Sequence, residues 1–304
     1  MNFNPLVSVV IPVYNGEEFL GECLSSVAGQ TYQNIEAVIV DDGSIDGSYS
    51  IAEGWNFRKK IIRQKNGDVS SARNAGVRQA EGELVAFLDQ DDYWDADKVR
   101  RQVEYFAAEP GISLCFTEIA KILRDGRLHV AKDKQKIARS LGDENLFYKL
   151  INKNVLMPSA VMVKKEDFER AGLFNETFKT CGDYEMWLRM AALGMKFRYL
   201  PDPLTYYRMH GGNASYKTET MNSDRIKAME AAFSYDFLPA EFARYRKLGM
   251  ARVYAEAANG SFSSKNYEKF FEYFRLAARS DIRSITVKLL RRRLTAKIRS
   301  RRAV

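Results

Sequence analysis

The sequence predicts an α/β fold, a mostly parallel sheet flanked by helices, followed by an α-helical C-terminal extension. Three observations carry that expectation. Strand-like and helix-like segments alternate through the first 120 residues, polar clusters follow three of the strands, and helical periodicity dominates from Thr218 onward. Steady alternation implies a parallel sheet with helices on both faces. A chain of 304 residues suits one large domain with an appendage, or two domains.

Leu6 to Ile11 is an apolar strand run, and Glu17 to Ala28 has helical spacing through Phe19, Leu20, Leu24 and Val27. Ile35 to Val40 is a second strand run, followed by the turn-rich "DDGSIDGS" and a weaker helix through Ile51 and Ala52. Ile61 and Ile62 suggest a third strand, Val69 to Ala80 a helix, and residues 84 to 88 a fourth strand. Asp97 to Ala108 reads as a helix with an acidic start, where the dipole favours a carboxylate. Beyond residue 112 the pattern loosens. Ile112 to Ile119 and Ser159 to Val163 look like strands, and Asp183 to Leu193 is a helix with Met186, Trp187, Met190 and Leu193 on its inner stripe. Lys196 to Tyr207 reads as extended segments broken by Pro201 and Pro203. Helices are expected at Met221 to Phe237, Ala240 to Ala258, Tyr267 to Arg279 and Ile282 to Arg302, the last with Val287, Leu290, Leu294 and Ile298 along one stripe between basic residues.

Apolar residues make up 46% and charged residues 28%, the balance of a soluble globular protein. No stretch reaches the ~18 uncharged apolar residues that span a bilayer. The first apolar run follows no basic segment and is interrupted by Pro12, so no signal peptide and a cytoplasmic location are expected. Cys23, Cys115 and Cys181 are widely spaced and form no CxxC pair, which argues against a disulfide framework and a zinc site. A reducing compartment leaves the sequons at Asn175 and Asn213 with little meaning. Between Asp281 and Val304 nine Lys or Arg face one Asp, which accounts for the whole net charge of +8. Basicity is a property of the tail, and residues 1 to 280 are neutral in sum.

In parallel sheets ligands bind outside the carboxyl ends of the strands. "PVYN" (12 to 15) follows the first strand, "DDGS" (41 to 44) the second and "DQDD" (89 to 92) the fourth, so three clusters converge on one edge. Asp89, Asp91 and Asp92 within four positions repel one another, and a cation relieves that repulsion where a plain turn needs one Asp. Neither GxGxxG nor GxxxxGK[ST] occurs, which argues against a dehydrogenase or a P-loop nucleotide user.

The stretches from Val7 through "DDGSIDGS", "NGDVSSARNAGVRQAEGELVAFLDQDDYW", "CGDYEMWLRM" and "YRMHGGNAS" together resemble glycosyltransferase family 2 enzymes of the GT-A fold. The resemblance covers roughly residues 5 to 215, in order. It implies a GT-A catalytic domain at 1–217, with a nucleotide-sugar-binding half at 1–110 and an acceptor half at 111–217. Residues 218–304 are then a helical C-terminal region ending in a basic amphipathic tail at 281–304.

What the resemblance implies for chemistry is a nucleotide-sugar donor, a UDP-sugar, and a Mn²⁺ or Mg²⁺ ion that clamps the leaving diphosphate. Asp91 is then a metal ligand and Asp89 faces the donor, with Gln90 between them on the nucleotide-sugar side. Pro12, Val13, Tyr14 and Asn15 hold base and ribose, Tyr14 by stacking, and Asp42 accepts from a uracil-type N3–H while Asp41 caps the turn. Arg73 is a cation for the phosphates or a clamp for the aspartates. His210 ligates the metal or touches the diphosphate, Arg208 neutralises phosphate, and Gly211 and Gly212 let the loop close. Tyr93 and Trp94 pack under the sugar or in the core.

A general base must take the acceptor hydroxyl's proton. Asp183 in "CGDYEMW" matches the family's base position, with an N-cap role as the alternative and Glu185 as the fallback base. The family often has Glu-Asp there, and this chain has Gly182, so nothing borrowed from that Glu transfers. Neither a QxxRW motif nor membrane helices occur, so the expectation is a non-processive, inverting transferase adding one sugar to a saccharide or lipid-linked acceptor of bacterial surface polysaccharide. A nucleotide-sugar-binding or scaffolding protein without turnover is the alternative. The tail suggests an anionic membrane surface at the inner face of the cytoplasmic membrane rather than nucleic acid.

Overall fold

The computed structural model describes residues 3–123, 125–141, 145–213 and 218–301. The boundary expected at 217, the end of the Asn213 sequon and the tail residues 302–304 lie outside the described residues. The chain forms two compact units: residues 1–146, 155–177 and 194–211, and residues 147–154, 178–193 and 212–304.

The first unit is built on strands β1 (Val7–Val13), β2 (Ile35–Asp41), β3 (Lys59–Arg63), β4 (Leu84–Phe87), β5 (Tyr93–Trp94), β6 (Leu114–Ile122), β7 (Leu128–Val130), β8 (Val161–Lys164) and β9 (Phe197–Arg208). Its helices include α1 (Leu20–Ala28), α2 (Ser48–Gly54), α3 (Asp68–Gln79) and α4 (Lys98–Ala108). The strand order is β3-β2-β1-β4-β8-β6-β9-β5, with β7 paired to β6. β3, β2, β1 and β4 are mutually parallel, as the alternation predicts. Strand β8 enters antiparallel between β4 and β6, and β9 runs parallel to β6. The expected fourfold alternation thus accounts for one half of a mixed sheet. Val9, Ile11, Ala37, Ile39 and Ala86 pack against Leu20, Leu24 and Val99 in a core on one sheet face.

Two differences from the sequence reading have local causes. Strand β1 extends through Pro12 and Val13, both buried, rather than ending at Ile11. The β1–β4 ladder stops at Val10 and Phe87, so the N–H that Pro12 lacks faces a side with no strand left to pair. Strand β9 runs on through Pro201 and Pro203 because its ladder with β6 breaks after Leu200 and resumes at Thr205, which places both prolines in the irregular stretch.

The second unit is helical, with α5 (Gly182–Ala192), α6 (Thr218–Ala232), α7 (Arg246–Ser263), α8 (Tyr267–Ser280) and α9 (Val287–Arg301). Met186, Trp187 and Met190 on α5 are fully buried, as their spacing predicts, but Leu193 lies past the helix end and is exposed. Ala255, Ala257 and Ala258 of α7 pack against Phe270, Phe274 and Ala277 of α8, and Leu289 and Ala296 of α9 join the same cluster. Small residues on α7 let these helices approach closely.

Candidate active site

The carboxyl edge of β1, β2 and β4 carries the polar clusters, and hydrogen bonds fasten the loops together. Gln90 makes a two-point clasp on Tyr14: the Tyr14 N–H donates to Gln90 Oε1 at 2.8 Å, and Gln90 Nε2 donates to the Tyr14 carbonyl at 3.0 Å. Asn15, at φ 47°, donates its N–H to Ser44 Oγ and accepts from the Ile45 N–H, each at 3.0 Å. Its left-handed backbone suits an Asn better than most side chains. Tyr14 stays half exposed at 49%. Pro12 and Val13, placed by sequence in the loop, are strand residues, and Val13 packs in the core.

Asp41 and Asp42 divide their tasks. Asp41 Oδ1 accepts from the Ser44 N–H at 2.8 Å and caps the turn, while its other oxygen lies 3.1 Å from Arg63 Nε. Asp42 accepts from Gln64 Nε2 at 2.7 Å and from the Gly67 N–H at 3.0 Å, both at Oδ1.

The three carboxylates after β4 have three environments. Asp89 pairs with Arg73 Nη2 at 2.5 Å. Arg73 is buried on α3, with its guanidinium 5.6 Å from the Phe174 ring centroid, so it is no surface arginine. Asp92 is 1% exposed, accepts from Ser159 Oγ at 2.5 Å and takes the Arg208 N–H at 3.1 Å. Asp91 Oδ2 lies 2.8 Å from His210 Nε2, and the His210 ring packs 4.8 Å from that of Phe19. Burial and the Asp89 charge push the Asp91 carboxyl up, with His210 pulling the other way. Burial and Asp91 push Asp92 well up. The repulsion inferred from the sequence is thus present in the fold.

Asp91 and His210 supply one hard oxygen and one imidazole nitrogen on a shared locus. Among the described residues no group of three or more His, Cys, Asp or Glu is arranged to hold a metal ion. A pair still fits Mg²⁺ or Mn²⁺ in a site completed by substrate phosphates, since such ions commonly take one or two protein ligands plus phosphate oxygens. Arg208 is anchored rather than extended: it pairs with Glu22, donates Nε to the Asp91 carbonyl at 3.2 Å and lies over the Phe19 and Tyr93 rings. Trp94 is a core residue, 3% exposed, donating to the Ser159 carbonyl at 2.7 Å beneath Lys98.

In the second unit Asp183 is the second residue of α5, whose N-cap is Cys181, so the N-cap alternative does not hold. Glu185 is buried, bound by Arg189 at 2.8 Å and by the Tyr235 hydroxyl, and this ion pair removes it as a fallback base.

Sequence reasoning missed Gln64, Ser159, Asn74 and Asp224. Gln64 had a signal, because it follows β3 beside the end of β2. Asn74 donates to the Phe174 carbonyl and accepts the Phe174 N–H at 2.8 and 2.9 Å, a contact across 100 residues that spacing cannot announce. The Gln90 clasp is directly testable. An alanine Cβ at Gly16 would sit 2.3 Å from Gln90 Oε1, so Gly16→Ala must dislodge the clasp. Gly16→Ala and Gln90→Ala are each expected to cost about 1–3 kcal/mol, and the double variant no more than the larger single. Additive losses in thermal unfolding would refute the clasp.

The sequence pattern described as Glycosyl transferase family 2 matches residues 8–172. An uncharacterized glycosyltransferase of Rickettsia prowazekii is 30% identical over 62% of this chain and 59% of its own length. Hyaluronan synthase of Pasteurella multocida is 29% identical over 71% of this chain and 22% of its own. The chain thus spans about three fifths of the length of the first relatives it matches. Among solved structures, S. aureus TarS 1–349 in complex with UDP-GlcNAc superposes with a TM-score of 0.65 at 19% identity, covering 90% of each chain. The mannosyltransferase PcManGT from Pyrobaculum calidifontis, in complex with GDP-Man and Mn²⁺, gives 0.64 at 17% identity over 97% of this chain and 85% of its own. These neighbours are GT-A glycosyltransferases, and the mixed sheet with flanking helices is that fold. With more than half of its length inside the matched pattern, the chain belongs to glycosyltransferase family 2.

Proposed function

We propose that the protein is a non-processive, inverting glycosyltransferase that moves one sugar from a UDP-sugar to a saccharide or lipid-linked acceptor of bacterial surface polysaccharide, working at the inner face of the cytoplasmic membrane. The observation that carries this reading is the Asp91–His210 pair, 2.8 Å apart, set beside Arg73-bound Asp89 on an edge where the Tyr14 and Asp42 loops also end. Asp42 is acceptor-only, which suits the imide N–H of uracil, and its two protein donors both occupy Oδ1. Tyr14 is exposed enough to stack on a base. Asp91 and His210 would hold Mn²⁺ or Mg²⁺, which when bound supplies Lewis-acid stabilisation to the leaving diphosphate. Arg73 fixes Asp89 toward the donor, and Arg208 places positive charge beside the same loop. Asp183 takes the proton from the attacking acceptor hydroxyl, and a single displacement inverts the anomeric carbon.

Incubation with a panel of UDP-sugars, Mn²⁺ and a lipid-linked saccharide acceptor tests the reading. UDP release that depends on acceptor, with an inverted anomeric proton coupling in the product, is the expected result. Heat protection by UDP-sugar without any UDP release would instead identify a binding or scaffolding protein, and a retained configuration would overturn the mechanism.

A further inference from the structure

Helix α9 is docked by one face and bare on the other. On the docked side Leu289 and Ala296 are fully buried, while Arg292 donates Nη1 to the Asn259 carbonyl at 3.0 Å and to Asn259 Oδ1 at 2.7 Å, lying over the Phe262 ring. On the other side Leu290 and Leu294, one turn apart, are 44% and 66% exposed, with Lys288 and Arg291 exposed around them. Ile282, in the short turn before α9, is also exposed at 68%. Beside these leucines a groove between α8 and α9 is lined by Phe271, Phe274, Arg275 and Arg293, with Glu268 as its one carboxylate. Arg293 lies 5.1 Å above the Phe274 ring.

An ordinary docked helix turns its leucines inward and its cations outward. Here the leucines of the outer face stand among cations. That pattern suits a helix lying in a lipid boundary, where apolar side chains enter the acyl edge and cations meet anionic headgroups. We infer that this face binds an anionic phospholipid bilayer, with Leu290 and Leu294 entering the headgroup boundary and Arg275 and Arg293 receiving a lipid phosphate above the phenyl floor. The excess positive charge of residues 281–304 supplies the complementary field. Nucleic acid is a poorer fit, because the phosphate backbone has no use for two exposed leucines. The inference gives the membrane location proposed above a physical surface, and it stands or falls without the transfer reaction.

Flotation of the full chain without nucleotide, at about 0.1 M salt, tests it. The protein is expected to rise with phosphatidylcholine vesicles containing about 30 mol% phosphatidylglycerol, and not with phosphatidylcholine alone. Leu290→Ser/Leu294→Ser and Arg275→Gln/Arg293→Gln should each weaken partitioning at least about tenfold while leaving the unfolding temperature unchanged. No flotation with anionic vesicles, or flotation indifferent to the leucine pair, overturns the inference. Binding to a short DNA duplex that equals vesicle binding and ignores the leucines would overturn it in favour of nucleic acid. A UDP titration run in parallel keeps the two readings apart: lost UDP affinity with intact flotation counts against the donor site alone.

Discussion

Asp91→Asn is expected to lower kcat for sugar transfer about 10³-fold while leaving the protein as stable as before, or more so. On the proposed reading, the loss follows from removing a carboxylate oxygen beside His210 where the leaving diphosphate would be held, a contribution of about 4 kcal/mol. The stability expectation follows from the sign of the carboxyl's shift. Burial and Asp89 hold Asp91 above its ordinary value in the folded protein. A carboxylate with a raised folded pKa makes stability fall as pH rises through the window between the unfolded and folded values. At neutral pH its charge is therefore a liability to the fold, and the neutral isostere removes it. Thermal unfolding with UDP and Mn²⁺ separates the two effects. The wild-type protein should gain unfolding temperature from the ion and nucleotide together, by mass action on the folded state, whereas the variant should respond to UDP with little further gain from Mn²⁺. An Asp91→Asn enzyme that keeps more than about a tenth of its activity would remove Asp91 from the metal site.

How far the sequence reveals this site depends on the range of the interactions involved. β1, β2 and β4 are legible because each is a short apolar run bounded by polar residues, and adjacent parallel strands put the residues after them on one edge. The convergence of the Tyr14, Asp42 and Asp91 loops follows from that rule alone. What the rule cannot give is which carboxylate does what. Asp89, Asp91 and Asp92 are chemically identical in sequence, and their difference comes from Arg73, His210 and Ser159, which lie between 16 and 119 residues away. β8 and β9 are harder still, since their partners are fixed by pairing across the sheet rather than by a preceding helix. The apolar spacing expected along α9 carries no information on which side of a helix is covered, and Leu290 and Leu294 are exposed. The same limit explains Glu185: its carboxylate looks as available as that of Asp183 until Arg189 and Tyr235 close on it.

Asp183→Asn should cost about 10²–10⁴-fold in kcat, the range a positioned general base contributes, with donor affinity unchanged within about twofold. The local structure explains why this carboxylate is held in place. Asp224, buried on α6, accepts the Lys179 N–H at 2.9 Å, the Thr180 N–H at 2.8 Å and the Thr180 hydroxyl at 2.9 Å, all at one oxygen, and so fixes the turn that leads into α5. Asp183 then emerges in the first turn of that helix. Gly182 ahead of it leaves no second acidic side chain at that position to act in its place. In Asp183→Asn formate or azide, as small replacement bases, should restore part of the rate. A structural role predicts the opposite pattern: a lower unfolding temperature, weakened donor binding and no response to added base. Asp224→Ala provides that contrast, since leaving three donors without their acceptor should destabilise the unit by about 3 kcal/mol or more and lower activity only through loss of folded protein.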